Sequence, residues 1–192
     1  MRQIHWSTAL LATALLCAGG PSFAESASDN AAPAASLPQK VQEPAPTDVK
    51  SFGDWTVRCF PVKSPAPCDL LQATVDKATG RRIISTSIAY APELNRYLAK
   101  IIVPLGVKIA AGISITSDKY KSRALTITRC ENDGCYVEDQ LDAALVEKLT
   151  GGKTAGAVVT LLSGSHVTLP LSLRGFSDAA AEMKDLAIQK NR

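Results

Sequence analysis

The sequence predicts a mainly β domain, an antiparallel β-sandwich of immunoglobulin-like or jelly-roll-like kind, with one short helix and a C-terminal helix. Three observations predict it. Apolar residues recur with a period of two in short segments rich in Val, Ile, Leu and Thr. Clusters of Gly, Pro, Asn, Asp or Ser separate those segments. Four cysteines remain once an export segment is set aside. Many short strands with regular punctuation favour antiparallel pairing over a parallel α/β sheet.

The first residues, "MRQIHWSTALLATALLCAGGPSFAES", read as a secretory signal peptide. Arg2 and His5 form a short positive region, Ala9 to Ala18 an apolar one, and Ser22-Phe23-Ala24 a small-x-small cleavage signature, so cleavage is expected after Ala24. The apolar run is shorter than the ~20 residues of a membrane-spanning helix, and no later run reaches that length. The mature chain is therefore expected to carry no transmembrane span. Cys17 follows Leu16 and lies inside the apolar run, which rules out the lipoprotein reading. Residues 25–50, rich in Ala, Pro and Ser, have too few large apolar side chains to offset chain entropy and are expected to be a disordered linker. The folded domain is expected over 51–192. Residues 1–24 hold Arg2 and no acidic residue, so the remaining chain has 20 Lys and Arg against 18 Asp and Glu, a net charge of about +2. That balance, with export, excludes nucleic acid as a partner.

Within the domain, "DWTVRCF" places Trp55, Val57 and Cys59 on one face and Thr56, Arg58 and Phe60 on the other. "CDLLQATV" follows the proline-stiffened loop "FPVKSPAP" as the next strand. Further strands are read over 81–90, 96–104, 112–118, 124–130, 156–162 and 166–173. "DKATGR", "SDKYKS" and "LSGSH" read as hairpin loops. Two segments change period. "DQLDAALVEKLTGG", 139–152, sets Leu141, Ala144, Leu145 and Leu149 at helical spacing, with Asp139 or Asp142 to cap its start and Gly151 its end. "SDAAAEMKDLAIQK", 177–190, has Ser177 as N-cap and an apolar stripe of Ala179, Ala180, Met183, Leu186 and Ala187. Its mixed charges suit docking on the sandwich rather than on a membrane.

Cys59, Cys68, Cys130 and Cys135 allow three pairings. Chain geometry favours Cys59–Cys68, across the loop between two strands, and Cys130–Cys135, across "ENDG", whose Asn132, Asp133 and Gly134 tolerate the positive φ of a tight reversal. Structural zinc sites bring cysteines in pairs two to four residues apart. Eight residues separate the first pair here, and His166 is the one histidine of the mature chain. Thiol–disulfide catalysis uses C-x-x-C at a helix N-terminus. A turn between strands does not fit it. No cofactor or metal is expected.

"TGGKT", 150–154, resembles the end of a phosphate-binding loop, but Glu147 stands where that motif needs a glycine. It reads as a turn. His166, beside Ser163 and Ser165, reads as a strand-end residue, because neighbours in a strand point to opposite faces. No residue set with catalytic spacing occurs. Trp55 has two readings, core packing beside the first disulfide or an exposed stacking platform for a ligand, and Tyr136 is a second candidate for such a platform. The basic run Lys119, Lys121, Arg123 reads as a solvated strand end, or as a contact for an anionic envelope or host surface.

"FGDWTVRC", "PCDLLQ", "VPLGVKIAAGISI", "RCENDGC", "LDAALVEKLTGG" and "LPLSLRGFSDA", in this order, resemble the invasion-associated locus B family of exported alphaproteobacterial proteins. The resemblance runs from about Phe52 to Leu186, and the four mature cysteines match the family's positions. It implies a β-sandwich-like fold, location in the periplasm, at the outer membrane by peripheral association or as a secreted protein, and a link to host-cell entry and virulence. It implies no catalytic mechanism. The leading expectation is a non-enzymatic envelope protein that contacts an envelope or host-surface protein. The second is a periplasmic module for a small ligand or glycan, using Trp55 or Tyr136.

Overall fold

The computed structural model describes residues 44–191. The expected signal peptide and residues 25–43 of the expected linker lie outside them. In chain order the strands are β1 (Asp48–Phe52), β2 (Trp55–Cys59), β3 (Cys68–Val75), β4 (Arg82–Ala91), β5 (Arg96–Val103), β6 (Ile113–Ser117), β7 (Tyr120–Lys121), β8 (Ile127–Glu131), β9 (Gly134–Leu141), β10 (Ala155–Thr160) and β11 (His166–Leu171). Helix α1 (Ala143–Gly151) follows β9 and α2 (Phe176–Lys190) closes the described chain. All strand pairs are antiparallel. They form a seven-stranded sheet, β1-β2-β3-β4-β5-β9-β8, and a four-stranded sheet, β11-β10-β6-β7. The arrangement is an open, sandwich-like fold.

The period-two reading sorts the large sheet's side chains into two faces. Trp55, Val57, Leu70, Ile84, Ile88, Ile101 and Val137 point inward and are almost wholly buried. Against them pack α2, through Phe176, Ala179, Met183 and Ala187, and the inner face of the small sheet, through Ile113, Ile115, Ala157 and Val159. Each of the Val, Leu, Ile, Phe and Met side chains among them contributes roughly 1.5–3 kcal/mol on leaving water, and each alanine less. The stripe expected on α2 is therefore its docking face.

The strand expected from 124 starts at Ile127, and the expected loop "SDKYKS" holds the two-residue β7. Four further boundaries differ from the sequence reading, each for a physical reason. β1 starts at Asp48, inside the segment read as linker. Four of its five residues are exposed, so it has no apolar alternation, and it is held by pairing with β2. The helix expected from 139 starts at Ala143, because residues 139–141 belong to β9 and satisfy the open edge of β5 in the register Ala99↔Asp139 and Tyr97↔Leu141. Asp142 holds the N-cap position without a side-chain cap bond, and the C-cap is Gly152 rather than Gly151. α2 is capped by Gly175, not Ser177. Phe176 is drawn into the core, where its ring meets Trp55 edge-on at 5.1 Å. The chain can turn there because Gly175 has φ 83°, and a Cβ at that position would collide with the Phe52 carbonyl.

Candidate functional site: the open face of the larger sheet

Among the described residues, the inner face of the large sheet is covered, whereas its outer face lies open. The register lines that face in rows. Arg58, Asp69, Ala89, Leu98 and Gln140 form one; Thr56, Leu71, Ser87, Lys100 and Glu138 the next; Ala73, Ser85, Ile102, Tyr136 and Arg129 the third. Most of these side chains are half-buried. Where β2–β5 meet the β2–β3 loop, the face hollows into a cleft of about 390 Å³. Phe60, Val62, Leu71 and Ile102 supply its apolar walls, and Pro44 lines its rim.

The polar centre of the cleft is built from adjacent strands. Arg58 on β2 and Asp69 on β3 are register partners, so their side chains stand side by side. The guanidinium donates twice to the carboxylate, from Nε to Oδ1 at 3.0 Å and from Nη2 to Oδ2 at 2.5 Å. The Ser87 hydroxyl on β4 donates to the same Oδ2 at 2.6 Å. The Arg58 guanidinium also lies 5.3 Å from the Phe60 ring centroid. With 25% and 13% of the two side chains exposed, the pair is partly desolvated and fixed by a two-bond fork. The fork's two charges thus offset each other, and Lys100 joins them in lining the cleft, leaving an amphipathic surface with oriented polar groups. Such a surface can hold a partner's side chains or a small amphipathic molecule. Sequence reasoning placed Arg58 and Phe60 on one face but did not join them to Leu71, Ser87 and Ile102. The signal was present as outward positions of β3–β5 that mix apolar with polar residues.

The residues singled out from sequence fall elsewhere. Trp55 has no exposed surface, and its indole nitrogen donates to the Ser172 carbonyl at 2.8 Å. It is a core residue, which overturns the ligand-platform reading. Tyr136 is 8% exposed. The Arg129 guanidinium covers its ring at 4.1 Å, and its hydroxyl donates to the Asp133 carboxylate at 2.9 Å. Burial first, then Asp133, pushes its pKa up. Tyr136 is closed to stacking as well, a second correction. The basic run divides. Lys119 and Lys121 are exposed around β7, whereas Arg123 makes two bonds to Asp139 at 2.7 and 3.0 Å and holds that carboxyl below its usual range.

The cysteines join as chain geometry favoured, Cys59 to Cys68 and Cys130 to Cys135, and in both cases as register partners. In the second turn the positive φ, 146°, falls on Gly134 alone, where a Cβ would stand 2.6 Å from the Val103 carbonyl oxygen. "TGGKT" turns out to be occupied from within. The backbone N–H groups of Lys153 and Thr154 donate to the Asp118 carboxylate, each at 3.1 Å, and these bonds lower that carboxyl's pKa. His166 pairs with Thr160 across β10–β11 through a 3.1 Å contact, while Ser163 and Ser165 bond each other.

The family described as "Invasion associated locus B (IalB) protein" matches residues 55–184. The chain belongs to this family. Two Brucella abortus proteins, from strain 2308 and from biovar 1 strain 9-941, both named invasion protein B homolog, are 29% identical over 154 residues, covering 80% of this chain and 86% of theirs. The crystal structure of invasion associated protein b from Bartonella henselae superposes with a TM-score of 0.64 at 22% identity, covering 75% of this chain and 99% of that one, which shows a shared fold. In this IalB member the quoted segments "FGDW" and "LPLSLRGF" are brought into contact. Asp54 accepts from Ser172 Oγ at 2.6 Å and from the Arg174 guanidinium, and its backbone N–H donates to the Arg174 carbonyl at 3.0 Å. Gln72 exchanges two bonds with the Ser172 backbone. This clasp seats α2 on β2 and β3 and leaves the outer face of the IalB domain as its open side.

Proposed function

We propose that the protein is an exported, non-enzymatic component of the cell envelope that holds a protein partner against the outer face of its larger sheet. The observation that carries this reading is the contrast between faces. The inner one is sealed by α2 and the small sheet, and the outer one presents half-buried Leu71, Leu98 and Ile102 around the Arg58–Asp69 fork. Two disulfides suit an oxidising compartment, and the first 24 residues suit export into one, with the periplasm as its setting. The names of the Brucella and Bartonella relatives support host-cell association as the context. In cross-linked envelopes the wild-type chain is expected to recover one reproducible partner. The paired variant Leu71→Lys, Ile102→Lys is expected to lose it while keeping its melting temperature. Equal recovery by both chains would refute the outer face as the contact.

A second reading, a module for a small amphipathic ligand or glycan, is favoured by the cleft itself, whose volume falls within the range of ligand sites. Trp55 faces away from this cleft, so ligand screening by thermal shift is the suitable measurement. A stabilising ligand whose effect disappears in Leu71→Lys would support this reading, and a set of candidate ligands with no effect on melting would count against it.

A further inference from the structure

Eight large apolar side chains are exposed among the described residues, and five of them gather at one end of the molecule: Val75, Leu105, Ile109, Leu162 and Val167. The register explains the gathering. Thr74 pairs with Ile84, Ser85 with Ile102, and Val103 with Cys135, so the β3–β4 turn, the exit of β5 and the β8–β9 turn share that end. The segment after β5 then runs along the β10–β11 turn. Lys108 N–H donates to the Thr160 carbonyl at 2.7 Å, Leu162 N–H donates to the Gly106 carbonyl at 2.9 Å, and Val107 bridges to Leu161. These bonds satisfy the loop backbones and hold the aliphatic tips in place.

The charges at this end are mostly positive. Lys77, Arg81 and Lys108 stand exposed there. Of the acidic residues of the same turns, Asp133 and Glu131 are paired with arginines, whereas Asp76 bonds neutral groups and keeps its charge. Asp76 accepts from Ala78 N–H, Thr79 N–H and the Thr79 hydroxyl, Asp133 from Arg82 and Tyr136, and Glu131 from Arg129. From residue 94 to 117 and again from 148 to 177 the sequence holds no acidic residue, and these stretches supply two of the four turns. No aromatic residue occurs in 75–82, 104–111 or 161–167. Protein interfaces disfavour lysine, whereas anionic bilayer surfaces attract Lys and Arg set around aliphatic tips.

We propose that this end of the protein docks peripherally on an anionic phospholipid surface, with Leu105, Ile109 and Leu162 entering the headgroup–acyl boundary and Lys77, Arg81 and Lys108 contacting the phosphates. This surface is separate from the cleft, and either can fail without the other. The test is co-sedimentation of the mature chain with vesicles of phosphatidylcholine, alone or mixed with phosphatidylglycerol. Binding to the mixed vesicles is expected, weakening as salt is raised. The pair Leu105→Asp, Leu162→Asp is expected to lower it at least about tenfold. The pair Arg81→Glu, Lys108→Glu is expected to remove the preference for phosphatidylglycerol. Leu94→Asp, at the opposite end of the sheet, leaves binding intact. These side chains are exposed, so melting temperatures stay level. Absence of binding to both vesicles, or equal binding by the Leu105/Leu162 pair, overturns the proposal. A change of oligomeric state in that pair without vesicle binding would instead assign the patch to a protein contact and overturn it too.

Discussion

Cys59–Cys68 closes the β2–β3 hairpin from inside the core, with both cysteines fully buried and the Trp55–Phe176 contact on the same face. Cys130–Cys135 closes the β8–β9 hairpin at the edge of the same sheet, with Cys130 exposed and polar groups around it: Arg129, Glu131, Asp133 and Glu138. The loops differ little, with sequence separations of 9 and 5, so chain entropy assigns about 2–3 kcal/mol to either bond. What separates the hairpins is everything else that holds them. The first is buried under α2 and clasped by Asp54, Ser172 and Arg174. The second has solvent on its far side and depends on its staple and a surface ion network. The same covalent device reinforces a core in one place and secures an exposed edge strand in the other.

The largest expected effect breaks the comparison at its centre. Trp55→Ala removes a fully buried indole and its bond to Ser172, and is expected to cost about 3–5 kcal/mol in denaturant unfolding. Tyr136→Ala, its counterpart in the edge hairpin, is expected to cost about 2 kcal/mol, because the ring packs against an arginine rather than inside the core. Equal losses would erase the distinction. Next come the staples. Replacing Cys59 and Cys68 together by Ala is expected to destabilise by about 1 kcal/mol more than replacing Cys130 and Cys135, since both cysteines of the first pair are buried in the core and only Cys135 of the second. Under mild reduction and alkylation, mass mapping is expected to find Cys130 and Cys135 labelled first. Earlier labelling of Cys59 would contradict the assigned burial.

A smaller effect concerns pH. The Arg174 guanidinium, then the Ser172 hydroxyl, hold the Asp54 carboxyl down to about 2 in the folded protein. A depressed folded pKa means that the clasp stabilises fully above the ordinary carboxylate pKa of ~3.9 and loses that contribution as pH falls toward about 2. Melting temperature followed over this window is expected to fall more steeply in the wild type than in Asp54→Asn. Parallel curves would refute the linkage. The smallest effect belongs to the edge network. Arg129→Ala is expected to lower the melting temperature less than any of the changes above, because its partners Glu131 and Glu138 are nearly half exposed.

The hairpins also mark what was legible in the sequence. Alternation gave β2 through β6 and β10–β11, since each has one face in the core and one near water. It failed for β1, whose residues are exposed on both sides, and for the end of β9, where "DQL" fits helical spacing but is taken by the unpaired edge of β5. The helix start at Phe176 was hidden because the ring's place in the core, not a capping side chain, sets it. For the site, period two put Arg58 and Phe60 together but carried no information on which strands neighbour β2. The cleft needs Asp69, Ser87 and Ile102 from three strands, and only the sheet order supplies them. Trp55 was legible as a core residue, since alternation sets it on one face with Val57 and Cys59; only its alternative reading, as a ligand platform, failed.

The central claim is that the outer face is the working surface, and site-specific photo-cross-linking within intact envelopes tests it most directly. A photoreactive residue at Leu71 or Leu98 on that face is compared with one at Ser177, exposed on α2. The account predicts one adduct of defined mass from both face positions and none from Ser177. An adduct from Ser177, with both face positions unlabelled, would contradict it.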